Sequence, residues 1–246
     1  MQLPQCRVPD ACVLEYEQSS EWSDLSPVFE ADWQRRPAQS RVLYEDSRWI
    51  VLRFAVLARY FRYVQGYLYL LLPLQHVLQH REVALHAMLI VVGTTHCYSP
   101  VGLELGFWKH RRAVVDSIMQ LAIARHPQTR ARLTHLSSSD AFYDNVCLRL
   151  LFIVFGQVFT FDALLIVWDF VLPSLLHGNH RALTSMAAEL LAFFALNIPR
   201  QADANEDADA FWGTRAAQLN EAVAAELVAQ CIRADPRRIS AGVHGA

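Results

Sequence analysis

Trp49-Ile50-Val51-Leu52-Arg53-Phe54-Ala55-Val56-Leu57-Ala58-Arg59-Tyr60-Phe61 is the stretch that decides the fold class. Its apolar residues are broken only by Arg53 and Arg59, which leaves a wide apolar arc with a thin charged edge and predicts a deeply packed helix. Working outward, a second helix is expected over 67–78, bent at Pro73 or opened by it as a first turn. Further helical patterns run over about 82–92, 111–125, 142–155, 161–176 and 181–197. Each stops at a breaker: Gly93, His126 before Pro127, Gly156, Gly178, and Ile198 before Pro199. The acidic interval 201–210, with Asp203, Glu206, Asp207 and Asp209, reads as a polar loop. Beyond it Leu219, Val223, Leu227 and Cys231 recur every four residues on a final amphipathic helix, before a frayed tail from Asp235. Alternating period-2 runs bounded by turn pairs are missing, so the expectation is an all-α single domain of two packed helical halves.

Composition narrows the function. The chain has 246 residues, of which 53% are hydrophobic and 19% charged; about 45–50% and 25% are usual, so this apolar surface calls for a large core and excludes disorder as the main state. A net charge of -2 gives no drive toward phosphate backbones, and nucleic acid is not expected as a partner. Lys109 is the one lysine, and no glycine pattern precedes it and no hydroxyl follows it, so the chain carries no phosphate-cradling loop. Neither protein-kinase motifs nor a G-x-S-x-G elbow occurs. The five cysteines, Cys6, Cys12, Cys97, Cys147 and Cys231, include no C-x-x-C pair and read as reduced thiols. Residues 1–10 lack a secretory signal pattern, so a cytoplasmic chain is expected.

A membrane-spanning reading fails on detail. The stretches 63–79 and 83–103 carry no Lys, Arg, Asp or Glu, but the second holds His86, Gly93, Thr94, Thr95, His96, Ser99 and Pro100, which confines its apolar part to 83–92. Within 150–176, Asp162 and Asp169 would each cost about 2.5–3.5 kcal/mol at a bilayer centre. No transmembrane segment is expected, and both aspartates belong on helix ends or polar faces.

Three sets of residues are chemical candidates. His76 and His80, at i and i+4, would share a helix face as in a zinc hydrolase, but Val77 stands where a general-base Glu is needed and no third ligand is indicated, so two surface histidines are the better reading. The interval 201–210 lacks the spacing of a calcium loop and is equally well a solvated loop. More informative is Asp32-Trp33-Gln34-Arg35 followed by Tyr63-Val64-Gln65-Gly66. Arg35 lies in a proline-punctuated polar segment, and Gln65 lies beside Gly66 between two apolar helices. A guanidinium fork for charge developing on phosphoryl oxygens, with an amide to orient water, is what a slow GTPase lacks. Taken alone, an arginine and a glutamine on connections are more often plain surface residues.

These residues resemble the TBC domain of Rab GTPase-activating proteins, whose signatures are I-x-x-D-x-x-R and Y-x-Q-G. The first stands here as Phe29-Glu30-Ala31-Asp32-Trp33-Gln34-Arg35 and the second, intact, as Tyr63-Val64-Gln65-Gly66. Leu148-Arg149-Leu150-Leu151, Phe155-Gly156-Gln157-Val158-Phe159 and Val167-Trp168-Asp169 are similar to a later segment of that family. The chain has Tyr67-Leu68 where the family continues Met-Asn, Arg36 for Thr, and Val158 and Thr160 for Glu and Pro. The resemblance implies an N-terminal extension over 1–26, a TBC-type helical domain over 27–233 and a flexible tail over 234–246. It implies that Arg35 is an arginine finger and Gln65 a glutamine finger acting in trans on a Rab-family GTPase, supported by Asp32, Tyr63 and Gly66. GTP and Mg²⁺ would belong to that partner, no cofactor would sit on this chain, and recruitment to endomembranes would be peripheral, through the partner. The alternative of another class is a TBC-fold docking module that binds a small GTPase or trafficking adaptor without hydrolytic effect.

Overall fold

The computed structural model of the chain describes residues 8–34, 41–57, 66–96, 107–177, 179–200, 203–212 and 219–234. The elements among these residues are helical, apart from an isolated bridge between Phe159 and Leu219. The all-α expectation therefore holds. No helix among them is long and apolar enough to cross a membrane. The chain divides into two compact units at the start of the sixth helix, 1–107 and 108–246.

The first unit contains α1 (Asp10–Glu17), α2 (Ser20–Gln34), α3 (Arg41–Leu57), α4 (Leu68–Leu78) and α5 (Arg81–His96). α3 is its hub, packing on α1, α4 and α5. The apolar arc of the deciding stretch does the packing, with Ile50, Val51 and Phe54 fully buried and Arg53 left at its edge. The helix begins at Arg41, earlier than the apolar pattern shows, because the polar run Glu45-Asp46-Ser47-Arg48 separates its opening from the apolar arc. α4 follows the expected span and carries a buried Pro73 in its interior. It ends after Leu78, where Gln79 turns into the left-handed region at φ 54°. His80 thus falls beyond the helix, which corrects the shared-face reading of His76 and His80; both are exposed. Gly93 does not end α5, which runs on to His96. A helical glycine costs about 1 kcal/mol relative to alanine but keeps its hydrogen bonds, so it lowers stability without forcing a stop.

The second unit contains α6 (Phe107–Arg125), α7 (Arg130–Leu136), α8 (Asp140–Val146), α9 (Phe161–Leu176), α10 (Arg181–Asn197), α11 (Ala204–Trp212) and α12 (Glu221–Ala234). α9, α10 and α12 pack mutually, and α10 is buried along most of its length. Asp162 stands in the first turn of α9, after the N-cap Thr160, and Asp169 is exposed, as expected. The pattern over 142–155 does not form one helix: α8 loosens into a π-helical turn over Cys147–Phe152, and Val154 and Phe155 then adopt φ of 44° and 66°. The loop expected over 201–210 is corrected as well. Asp203 Oδ1 accepts the N–H groups of Asn205 and Glu206 at 2.8 and 3.2 Å, and Glu206 and Asp207 favour the positive end of the helix dipole, so α11 starts there.

Two buried charge clusters bind this second unit together. The Arg132 guanidinium donates to Asp207 Oδ1 at 2.7 Å and Oδ2 at 3.3 Å, and to the carbonyls of Ala195 at 3.3 Å, Pro199 at 3.2 Å and Ile198. It closes the C-terminal end of α10, whose last carbonyls have no partner within the helix, and pins α11 to it. Glu189, on α10, accepts from Arg125 at 2.8 Å, and its other oxygen lies 2.6 Å from His126 Nε2.

Candidate functional site

The site inferred from the sequence belongs to the first unit. Phe29 and Asp32 sit three residues apart on α2 and face inward, both essentially fully buried. Tyr44, on the second turn of α3 (Arg41–Leu57), holds this end of α2 from outside. Its ring lies 5.8 Å from that of Phe29 and 5.1 Å from that of Trp33, edge-on to the latter, and its hydroxyl donates a short hydrogen bond to Glu30. Burial first, and then the Glu30 carboxylate, pushes the Tyr44 hydroxyl up to about 12, so it remains a donor through the neutral range.

A buried carboxylate needs compensation, and Asp32 finds it in the other motif. The backbone N–H of Gly66 donates to Asp32 Oδ2 at 2.9 Å. Gly66 adopts φ 106°, a conformation that strains any residue with a Cβ. Its carbonyl then accepts the N–H of Tyr69 at 2.9 Å, so the residue that meets Asp32 also starts the turn into α4. Tyr67 and Leu68, two of the positions at which the chain departs from the pattern it resembles, are fully buried. The Tyr67 ring packs edge-on to Phe54 at 5.9 Å, and burial raises its hydroxyl far above the ordinary value. Ser47 on α3 adds a second buried tie by donating to Gln75 Oε1 on α4 at 2.8 Å.

Of the five residues drawn from the sequence, Asp32 and Gly66 are therefore brought into direct contact. Arg35, Tyr63 and Gln65 lie outside the described residues. Sequence reasoning missed Tyr44 and Glu30. Tyr44 stands ahead of the apolar arc of its helix, where no local pattern distinguishes it, and its role comes from contacts 11 to 15 residues away in the chain.

The later segment lies in the second unit and has a different structural role. Trp168, on α9, donates its indole N–H to the Val154 carbonyl at 2.8 Å, and both residues are buried. The tryptophan thereby fixes the turn in which Val154 and Phe155 adopt left-handed backbone. Among the described residues, no group of three His, Cys, Asp or Glu side chains could hold a metal ion. Comparison of the chain with protein-family models, with curated proteins and with solved structures found no match.

Proposed function

We propose that this chain is a GTPase-activating protein for a Rab-type small GTPase, supplying Arg35 and Gln65 in trans to the hydrolysis transition state. The observation that carries the reading is the buried hydrogen bond between Asp32 and Gly66. In the sequence Arg35 follows Asp32 by three positions and Gln65 immediately precedes Gly66. A two-finger mechanism requires the two positions to come near one another, and their separation from that bond along the chain, at about 3.3–3.6 Å of reach per residue, is compatible with it.

The chemistry follows from the residue types. The planar guanidinium of Arg35 spans charge developing on the phosphoryl oxygens, and the Gln65 amide orients the attacking water in place of the GTPase's own residue. An acceleration of about 10³–10⁵ corresponds to roughly 4–7 kcal/mol of transition-state stabilisation. Nucleotide and Mg²⁺ come with the partner, and the chain itself needs no cofactor. It acts from the cytoplasm, reaching endomembranes through the GTPase it binds.

Single-turnover hydrolysis across a panel of GTP-loaded Rab proteins tests the reading. Stimulation of at least one member, lost in Arg35→Ala and in Gln65→Ala with helicity retained, is the expected result. Binding without stimulation by the unaltered chain would transfer it to the docking-module class, and equal stimulation by all three proteins would remove the two-finger mechanism.

A further inference from the structure

Residues 35–40, which include Arg35, join the end of α2 at Gln34 to the start of α3 at Arg41. The direction in which the chain leaves α2 is therefore set by whatever holds the last turns of that helix. Asp32 holds one side of it through the Gly66 N–H at 2.9 Å. A single bond leaves a helix end free to turn about it, and a second restraint on another face removes that freedom. With about 3.6 residues per turn, Phe29, Glu30 and Trp33 present the face next to that of Asp32.

Tyr44 supplies the second restraint. Its ring lies 5.8 Å from that of Phe29 and 5.1 Å from that of Trp33, and its hydroxyl donates to Glu30 Oε1. One residue of α3 thereby ties together the two stems between which Arg35 is placed in the sequence. α3 also reaches α2 through Arg48, whose guanidinium lies 5.6 Å from the centroid of the Trp22 ring, but that contact is in the first turn of α2. Of the two, Tyr44 acts on the turns that Arg35 follows. Ring packing tolerates some rotation, whereas a hydrogen bond to a carboxylate is strong and directional, so the hydroxyl is the part of Tyr44 that fixes the helix end.

We infer that Tyr44 is a positioning residue for Arg35, its hydroxyl bond to Glu30 orienting the end of α2 so that the guanidinium meets the phosphoryl oxygens of a GTPase-bound nucleotide. The inference rests on the proposed GTPase activation. Orientation of the finger is used only where charge develops in the transition state, so its loss falls on the maximal rate and not on docking. A residue that acts through the finger also has nothing to act on once the finger is removed.

The test is single-turnover hydrolysis by the GTP-loaded Rab that the full chain stimulates most, over a range of chain concentrations, with helicity checked by circular dichroism. Tyr44→Phe keeps the ring contacts and should lower the maximal rate about 10-fold with half-saturation unchanged. Glu30→Ala, an independent removal of the same bond, should match it, and the double variant should fall no further. Glu30→Gln keeps an acceptor oxygen and should recover most of the rate. With stimulation of about 10³–10⁵, an Arg35→Ala loss of about 10² leaves a residual rate to measure, and adding Tyr44→Phe to Arg35→Ala should change that residual less than about two-fold. Equal maximal rates for Tyr44→Phe and the unaltered chain would overturn the inference while GTPase activation stands. So would an equal loss from Tyr44→Phe with and without Arg35, which would make Tyr44 a general support of the fold. No stimulation of any Rab by the unaltered chain would remove the GTPase-activation reading, and this inference with it.

Discussion

Replacing Asp32 by alanine removes the acceptor that joins the two motifs, and its effect can be worked from the geometry. The Gly66 N–H, now facing Asp32 Oδ2 at 2.9 Å in a buried setting, would be left without that partner. A hydrogen bond to a charged acceptor contributes about 1.5–3 kcal/mol, and an orphaned buried donor costs about 1–3 kcal/mol, two views of one loss that together set the expectation near 2–3 kcal/mol. Asp32→Asn keeps an oxygen for Gly66 but not the charge, and should lose about 1 kcal/mol. Urea unfolding followed by circular dichroism should therefore rank the unaltered chain above Asp32→Asn and that above Asp32→Ala, with the alanine midpoint lower by about 1 M. On the proposed function, a displacement of about 1 Å at the fingers costs about 10²-fold in rate, so Asp32→Ala should lower the maximal single-turnover rate while leaving half-saturation by the GTPase unchanged. An alanine variant as stable as the unaltered chain would refute the structural half of this reasoning; equal maximal rates for folded protein would refute the functional half.

Arg35→Lys should keep GTPase binding and lose most stimulation, Arg35→Ala and Gln65→Ala should each drop kcat/KM by about 10² or more, and Arg36 substitutions should matter less, all read by single-turnover hydrolysis. Arg132→Met should destabilise the second unit by about 3–5 kcal/mol, because it takes the guanidinium away from a fully buried Asp207 and from the carbonyls at and just beyond the end of α10; adding Asp207→Leu should recover part of the loss in denaturant unfolding. Tyr44, with its hydroxyl raised from 10.0 to about 12, binds its proton more tightly folded than unfolded. Its contribution is complete below pH 10 and is lost as pH rises from there through about 12, so Tyr44→Phe should flatten the fall in stability across that window in pH-dependent unfolding.

Helices were legible wherever a local signal stood at each end. α9 and α10 occupy the spans read from the sequence because Thr160 caps one and Pro199 follows the other. The capping pattern Asp203-Ala204-Asn205-Glu206 was equally local, and α11 was missed only because its acidic composition masked that pattern. By itself, then, the sequence determined that the chain is helical, where most helices lie, and that Asp32 and Gly66 belong to two motifs worth relating. Only the tertiary structure decided that Asp32 meets Gly66 across 34 positions, that Arg132 meets Asp207 across 75, and that Val154 and Phe155 turn left-handed under the indole of Trp168. Periodicity and capping act within a turn or two of helix, whereas a buried polar group takes its partner from whatever the packing of the apolar faces brings within reach.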